Sequence, residues 1–160
     1  MKKLIRAATF TLVFALPVVP AALAGGIVRD AKAPHIVHSG AHPNDARVLS
    51  ATHHFEVHVQ GSKLSQLFIY LPEDIKVRGG IQVTDESSRK VDATVSINGK
   101  KATVTFAQPV SPETTLTVSL KGVQTPAPGY ARTLVYPVYS NSVGTASNIR
   151  LGLANIKTYE

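Results

Sequence analysis

Val91-Asp92-Ala93-Thr94-Val95-Ser96-Ile97-Asn98-Gly99-Lys100-Lys101-Ala102-Thr103-Val104-Thr105-Phe106 is the stretch that decides the fold class. Val91, Ala93, Val95 and Ile97 alternate with Asp92, Thr94 and Ser96, the period of a strand with one buried face. Asn98-Gly99 follows, a dipeptide that favours the positive φ angles of a tight type I′ turn. Ala102 to Phe106 then predicts a partner strand folding back on the first.

The same alternation recurs on both sides. Phe55, Val57 and Val59 oppose His54, Glu56 and His58 in a strand from Thr52; Leu67 to Leu71 is a fuller apolar run; Ile81 and Val83 mark a short strand, and Asp85 to Lys90 a polar turn. Leu116, Val118 and Leu120 alternate within a strand from Thr115 to Leu120, and two later strands run from Tyr130 to Tyr139 and from about Leu151 to Tyr159. Gln108-Pro109-Val110-Ser111-Pro112 is expected to break the ladder, because proline has no N–H to donate. Seven or eight short strands without a helical stripe predict an all-β, antiparallel, immunoglobulin-like sandwich, with a small barrel as the alternative. Phe55, Val57, Val59, Leu67, Ile69, Val95, Ile97, Val104, Phe106, Leu116, Val118 and Leu120 are expected to point inward.

The N-terminus is of another kind. Lys2, Lys3 and Arg6 precede an apolar run from Ala7 to Val19, and Ala22-Leu23-Ala24 offers small residues for a signal peptidase. Residues 1–24 are therefore expected to be a cleaved signal peptide. The run falls short of the roughly 20 residues of a membrane span, so no transmembrane segment is expected after cleavage. Residues 25–50, with Pro34, Gly40, Pro43 and Asn44-Asp45, read as an extended arm, and residues 51–160 as the sandwich domain. The expected location is periplasmic or extracellular. The chain contains no cysteine, so neither a disulfide nor a thiolate metal site supports the fold.

Removal of Lys2, Lys3 and Arg6 lowers the formal charge from +7 to +4. The remaining basic residues are scattered pairs, Lys76/Arg78, Arg89/Lys90 and Lys100/Lys101, without the clustered basic face of a nucleic-acid binder, and no nucleic-acid partner is expected.

Residues 55–59, 67–69, 104–118 and Leu151-Gly152-Leu153-Ala154-Asn155-Ile156 with Tyr159 together resemble an uncharacterised family of secreted cyanobacterial proteins, a catalogued domain of unknown function. The resemblance covers about residues 35–160 and is most specific in the Phe106-x-x-Pro109-Val110-x-Pro112 run before a Thr-rich strand. The chain departs from the family pattern at Glu113, where glycine is usual, and in its histidine content. What the resemblance implies is a fold and a compartment, with no chemistry attached.

Catalytic patterns are missing. The sequence has no Gly-x-Ser-x-Gly elbow, His-Glu-x-x-His, phosphate loop or EF-hand loop, and Ser87-Ser88-Arg89-Lys90 lacks the companion elements of a penicillin-recognising enzyme. Glu73-Asp74 and Asp85-Glu86 are turn neighbours rather than facing carboxyls, though Asp85-Glu86 with Asp92 offers weak calcium ligands. Tyr70, Tyr130, Tyr136, Tyr139 and Tyr159 suit either the ends of a core or a face for sugars or protein. The chain is thus not expected to be an enzyme. The preferred reading is a non-catalytic envelope module that binds an envelope protein or polysaccharide, or has a structural role.

The alternative is a periplasmic copper- or zinc-binding protein. His35, His38, His42, His53, His54 and His58 all fall within 24 residues. His54, Glu56 and His58 share the outer face of one strand at successive spacings of about 6.8 Å, so the strand alone offers two good ligands and a third must come from the arm, where His35, His38 or His42 could fold back. The expected set is His54, Glu56 and His58 with His42. Imidazole with carboxylate suits zinc or copper(II). The Gly25-Gly26-Ile27 start lacks the third-position histidine of a copper-binding amino terminus. The competing reading is an exposed, titratable polar face.

Overall fold

The computed structural model describes residues 33–125 and 129–160. The expected signal peptide and the start of the arm lie outside the described residues. Ten strands follow: β1 (His35–His42), β2 (Ala51–His58), β3 (Leu64–Tyr70), β4 (Lys76–Val77), β5 (Ile81–Thr84), β6 (Ala93–Asn98), β7 (Lys101–Val110), β8 (Thr115–Gln124), β9 (Arg132–Ser142) and β10 (Ile149–Thr158). No helix occurs among the described residues.

The strands form two antiparallel sheets packed as an immunoglobulin-like sandwich. In the first, β1 pairs with β2 and β2 with β8, while the far edge of β8 is shared by β4 and β5. The second runs β10-β9-β3-β7-β6. Alternation along β2, β7 and β8 sends Phe55, Val57, Val104, Phe106, Leu116, Val118 and Leu120 into the interface, where they meet Leu67, Ile69, Tyr136, Val138 and Ile156. Fully burying each such side chain contributes about 1.5–3 kcal/mol.

Two of the expected inward residues behave differently. Val95 is only half-buried and Ile97 remains 38% exposed. They lie on β6, the edge strand of its sheet, and Ile97 pairs with Ala102 next to the exposed hairpin end. The hairpin itself corrects the expected turn. Asn98 pairs with Lys101, so the two loop residues are Gly99 and Lys100, and Gly99 has a φ of 60°. Glycine at the first loop position is the pattern of a type II′ turn, with Asn98 left in the strand.

Pro109 does not end β7, which continues to Val110. The ladder to β3 nevertheless shifts register there, from Gln66 opposite Thr105 to Leu64 opposite Val110. On the other side β6 has already ended, with Ala93 opposite Phe106. Pro109 therefore sits where no regular neighbour needs its missing N–H.

The segment expected as an arm supplies the edge strand β1. Its alternation is concealed in the sequence by a register shift between Ile36 and His38. At the same edge the two sheets meet. Ser39 Oγ donates to the Asn155 carbonyl of β10 (2.9 Å), Tyr159 N to the Asn44 carbonyl (2.7 Å) and Ala46 N to the Tyr159 carbonyl (2.6 Å).

Candidate functional site

The β1–β2 register decides what the histidines do. It sets His35 opposite His58, His38 opposite Glu56, Gly40 opposite His54 and His42 opposite Thr52. Because directly paired residues share a face, His35, His38, His42, His54, Glu56 and His58 all belong to the outer face of this ribbon. The irregularity at Val37 brings His35 and His38 into phase although they are three residues apart.

Two close imidazole pairs result, and both cross between strands. The His35 and His58 rings have centroids 5.5 Å apart, and those of His38 and His54 are 5.8 Å apart. His58 is also engaged elsewhere, with Nδ1 3.3 Å from Thr115 Oγ1 and Nε2 3.7 Å from Glu113 Oε2. His35 Nδ1 lies 3.3 Å from the Ala33 carbonyl. His54 is partly covered; burial first, then the nearby His38, holds its pKa below the ordinary imidazole value, with Glu56 acting in the opposite sense.

Of the four expected metal ligands, His54, Glu56 and His58 do share a face, but His54 and His58 are each closer to a β1 histidine than the strand pattern implied. His42 stands at the end of β1, near enough for its charge to be felt at His54. Among the described residues no three His, Asp or Glu side chains are grouped to hold one ion. Sequence reasoning held His38 only as one of three arm histidines, with His35 and His42, able to fold back on the strand, because pairing across a bulge cannot be read from spacing. His38, Gly40 and His54 border a cleft of about 400 Å³ along the seam, closed on its other side by Asn155, Lys157 and Tyr159.

The sixth histidine is different. His53 is 1% exposed and its Nδ1 forms a 2.6 Å hydrogen bond with the Tyr136 hydroxyl. Burial lowers its pKa to about 4, and burial likewise raises that of Tyr136. The Asp85 turn is self-contained: Oδ1 accepts from Ser87 N and Arg89 N, and Oδ2 from the Arg89 guanidinium. These backbone bonds, foremost that from Arg89, hold the carboxyl below its usual range.

A second surface lies on the outer face of the other sheet. Phe68 of β3 stands opposite Tyr139 of β9 and Thr103 of β7. The Tyr70 and Tyr139 rings meet edge to face at 5.5 Å, and Lys101 Nζ lies 4.4 Å above the Phe68 ring. Tyr70 is 39% exposed, and on the β10 side Leu153, opposite Pro137, extends the apolar surface. The five tyrosines thus divide, with Tyr136 in the core, Tyr70 and Tyr139 on this face, and Tyr130 and Tyr159 exposed elsewhere.

The profile of a family described as Protein of unknown function (DUF2808) matches residues 27–145, and the chain belongs to that family. The match stops before β10, so the Leu151–Ile156 ending that contributed to the resemblance lies outside it. No curated protein matches the sequence. Among solved structures the chain is similar to the N-terminal domain of the Streptococcus gordonii adhesin Sgo0707, with a TM-score of 0.55 and 10% identity over 81% of this chain and 33% of that one. It is also similar to BcpA, the major pilin subunit of Bacillus cereus, with a TM-score of 0.55 and 12% identity over 78% of this chain and 40% of that one. The chain spans well under half the length of either structure, and the likeness is one of fold.

Proposed function

We propose that this DUF2808-family chain is an exported, non-catalytic module of the cell envelope that binds another envelope component through the outer face of its second sheet. The observation that carries the reading is the exposed Tyr70 ring set edge to face against the half-buried Tyr139, both seated beside the buried Phe68 ring that Lys101 covers. Aromatic side chains held on a rigid sheet offer large contact area at little entropic cost, and the tyrosine hydroxyls leave hydrogen-bonding capacity for a polar partner such as polysaccharide or protein. The basic n-region and apolar run of residues 2–19 support export, and the adhesin and pilin likenesses favour an envelope role over an intracellular one.

Co-sedimentation of the purified protein with isolated envelope polysaccharide and with envelope protein tests the reading. Retention by one fraction, reduced in a Tyr70→Ser/Tyr139→Ser variant of unchanged stability, is the expected result. Equal retention of variant and parent, or no retention of either, would refute it.

A further inference from the structure

We propose that His38 and His54 form a two-imidazole site for a divalent late transition-metal ion, copper(II) or zinc, above Gly40 in the seam between β1 and β10. This goes beyond the envelope-binding reading and uses the opposite side of the molecule. The register makes the two histidines diagonal neighbours, since His54 is opposite Gly40 and His38 lies two residues before Gly40 on the same face. A glycine at that place matters. A Cβ on Gly40 would fall 3.2 Å from Cε1 and 3.3 Å from Nε2 of His54, and 3.9 Å from Nε2 of His38. Both Nε2 atoms therefore approach one point, and the missing side chain leaves that point open.

The separation suits an ion. With metal–nitrogen distances of about 2.0–2.1 Å, two nitrogens on one tetrahedral centre lie roughly 3.3 Å apart, which rings 5.8 Å apart at their centroids reach by small side-chain rotations. Availability and proximity together favour this pair. Among the described residues His35, His53 and His58 each have a ring nitrogen in a hydrogen bond with a protein group, whereas His38, His42 and His54 do not, and of these three only His38 and His54 bring their rings within 6 Å of one another. Glu56 is opposite His38 and two residues from His54 on the same face, so its carboxylate sets a negative charge beside the cation. Imidazole donors select zinc and copper over calcium or magnesium. The cleft of about 400 Å³ leaves room for water in the remaining coordination positions.

Calorimetric titration of the untagged protein with copper(II) and, separately, with zinc at pH 7.5 tests the site. Expected is saturable micromolar binding of one ion, weakened about tenfold or more by His38→Ala or His54→Ala, as loss of a ligand requires, and unaffected by His42→Ala or His58→Ala. Gly40→Ala should also weaken binding while leaving both imidazoles in place. As a measurement independent of any variant, substoichiometric copper(II) should broaden the Cε1–H resonances of His38 and His54 ahead of those of His35, His42 and His58. Millimolar or unsaturable binding, wild-type affinity in either single variant, or first broadening at another histidine would overturn the proposal. Envelope retention measured in chelator is a separate result and stands or falls on its own.

Discussion

His53 of β2 reaches through the core to Tyr136 of β9, and the 2.6 Å hydrogen bond between them is a polar link joining the two sheets. Neither side chain has another exposed face, so the pair has to be satisfied internally. The imidazole stays neutral in the folded protein.

That neutrality sets a pH dependence. The folded pKa of about 4 lies below the ordinary value of 6.5, so the unfolded chain takes up a proton between these values while the folded one does not. Stability from this source is complete above pH 6.5, falls as pH drops toward 4 and then levels off, an order-of-magnitude loss of about 3 kcal/mol. Urea midpoints in chelator at pH 7.5, 6, 5 and 4 are expected to decline in that window. In a His53→Leu/Tyr136→Phe double variant most of the decline should vanish; an unchanged decline would assign it to other groups.

Glu113 adopts a φ of 65° in the turn between β7 and β8. Pro112 followed by a left-handed residue is the type II pattern, which favours glycine at the second position. Glu113→Gly is expected to stabilise the protein by about 1 kcal/mol, the relief of left-handed strain slightly exceeding the added chain entropy. A denaturant midpoint that falls would contradict it, and would point to the 3.7 Å Glu113–His58 contact as worth more than the strain.

Core truncations should separate by position in the sheets. Leu116→Ala and Phe106→Ala, at fully or nearly fully buried sites, are expected to cost about 2–5 kcal/mol each. Ile97→Ala, at the edge of β6, should cost about 1 kcal/mol or less. Thermal unfolding of the three variants checks the ranking.

The exported form is expected to begin at Gly25. N-terminal sequencing of protein recovered from outside the inner membrane decides this, and recovery of a chain that still begins at Met1 would count against cleavage at Ala24.

Strands with strict alternation were legible in the sequence, as at Phe55–Val59 and Leu116–Leu120, because one buried face leaves a period of two. The β6–β7 hairpin was legible as a pairing while its turn was not, since Asn98-Gly99 and Gly99-Lys100 differ by one step of register. β1 escaped detection because the irregularity after Ile36 interrupts its alternation and Ser39 and Gly40 carry no strand signal. β4 is two residues long and exists through its pairing with β8. The site shows the same limit. The crowding of histidines was plain, yet which of them meet depends on a cross-strand register that local spacing does not contain.

Among the described residues β8 is the only strand that β4 and β5 pair with, and it also flanks β2. Residues 51–58 and 76–84 therefore have no common sheet until residues 115–124 arrive between them. A chain emerging from its N-terminus cannot complete this layer from its first hundred residues, and its loop closures are long, which slows folding. Under the proposed export such delay would be an advantage: the order of strands along the chain would keep a translocating half open until its closing strand had followed it across.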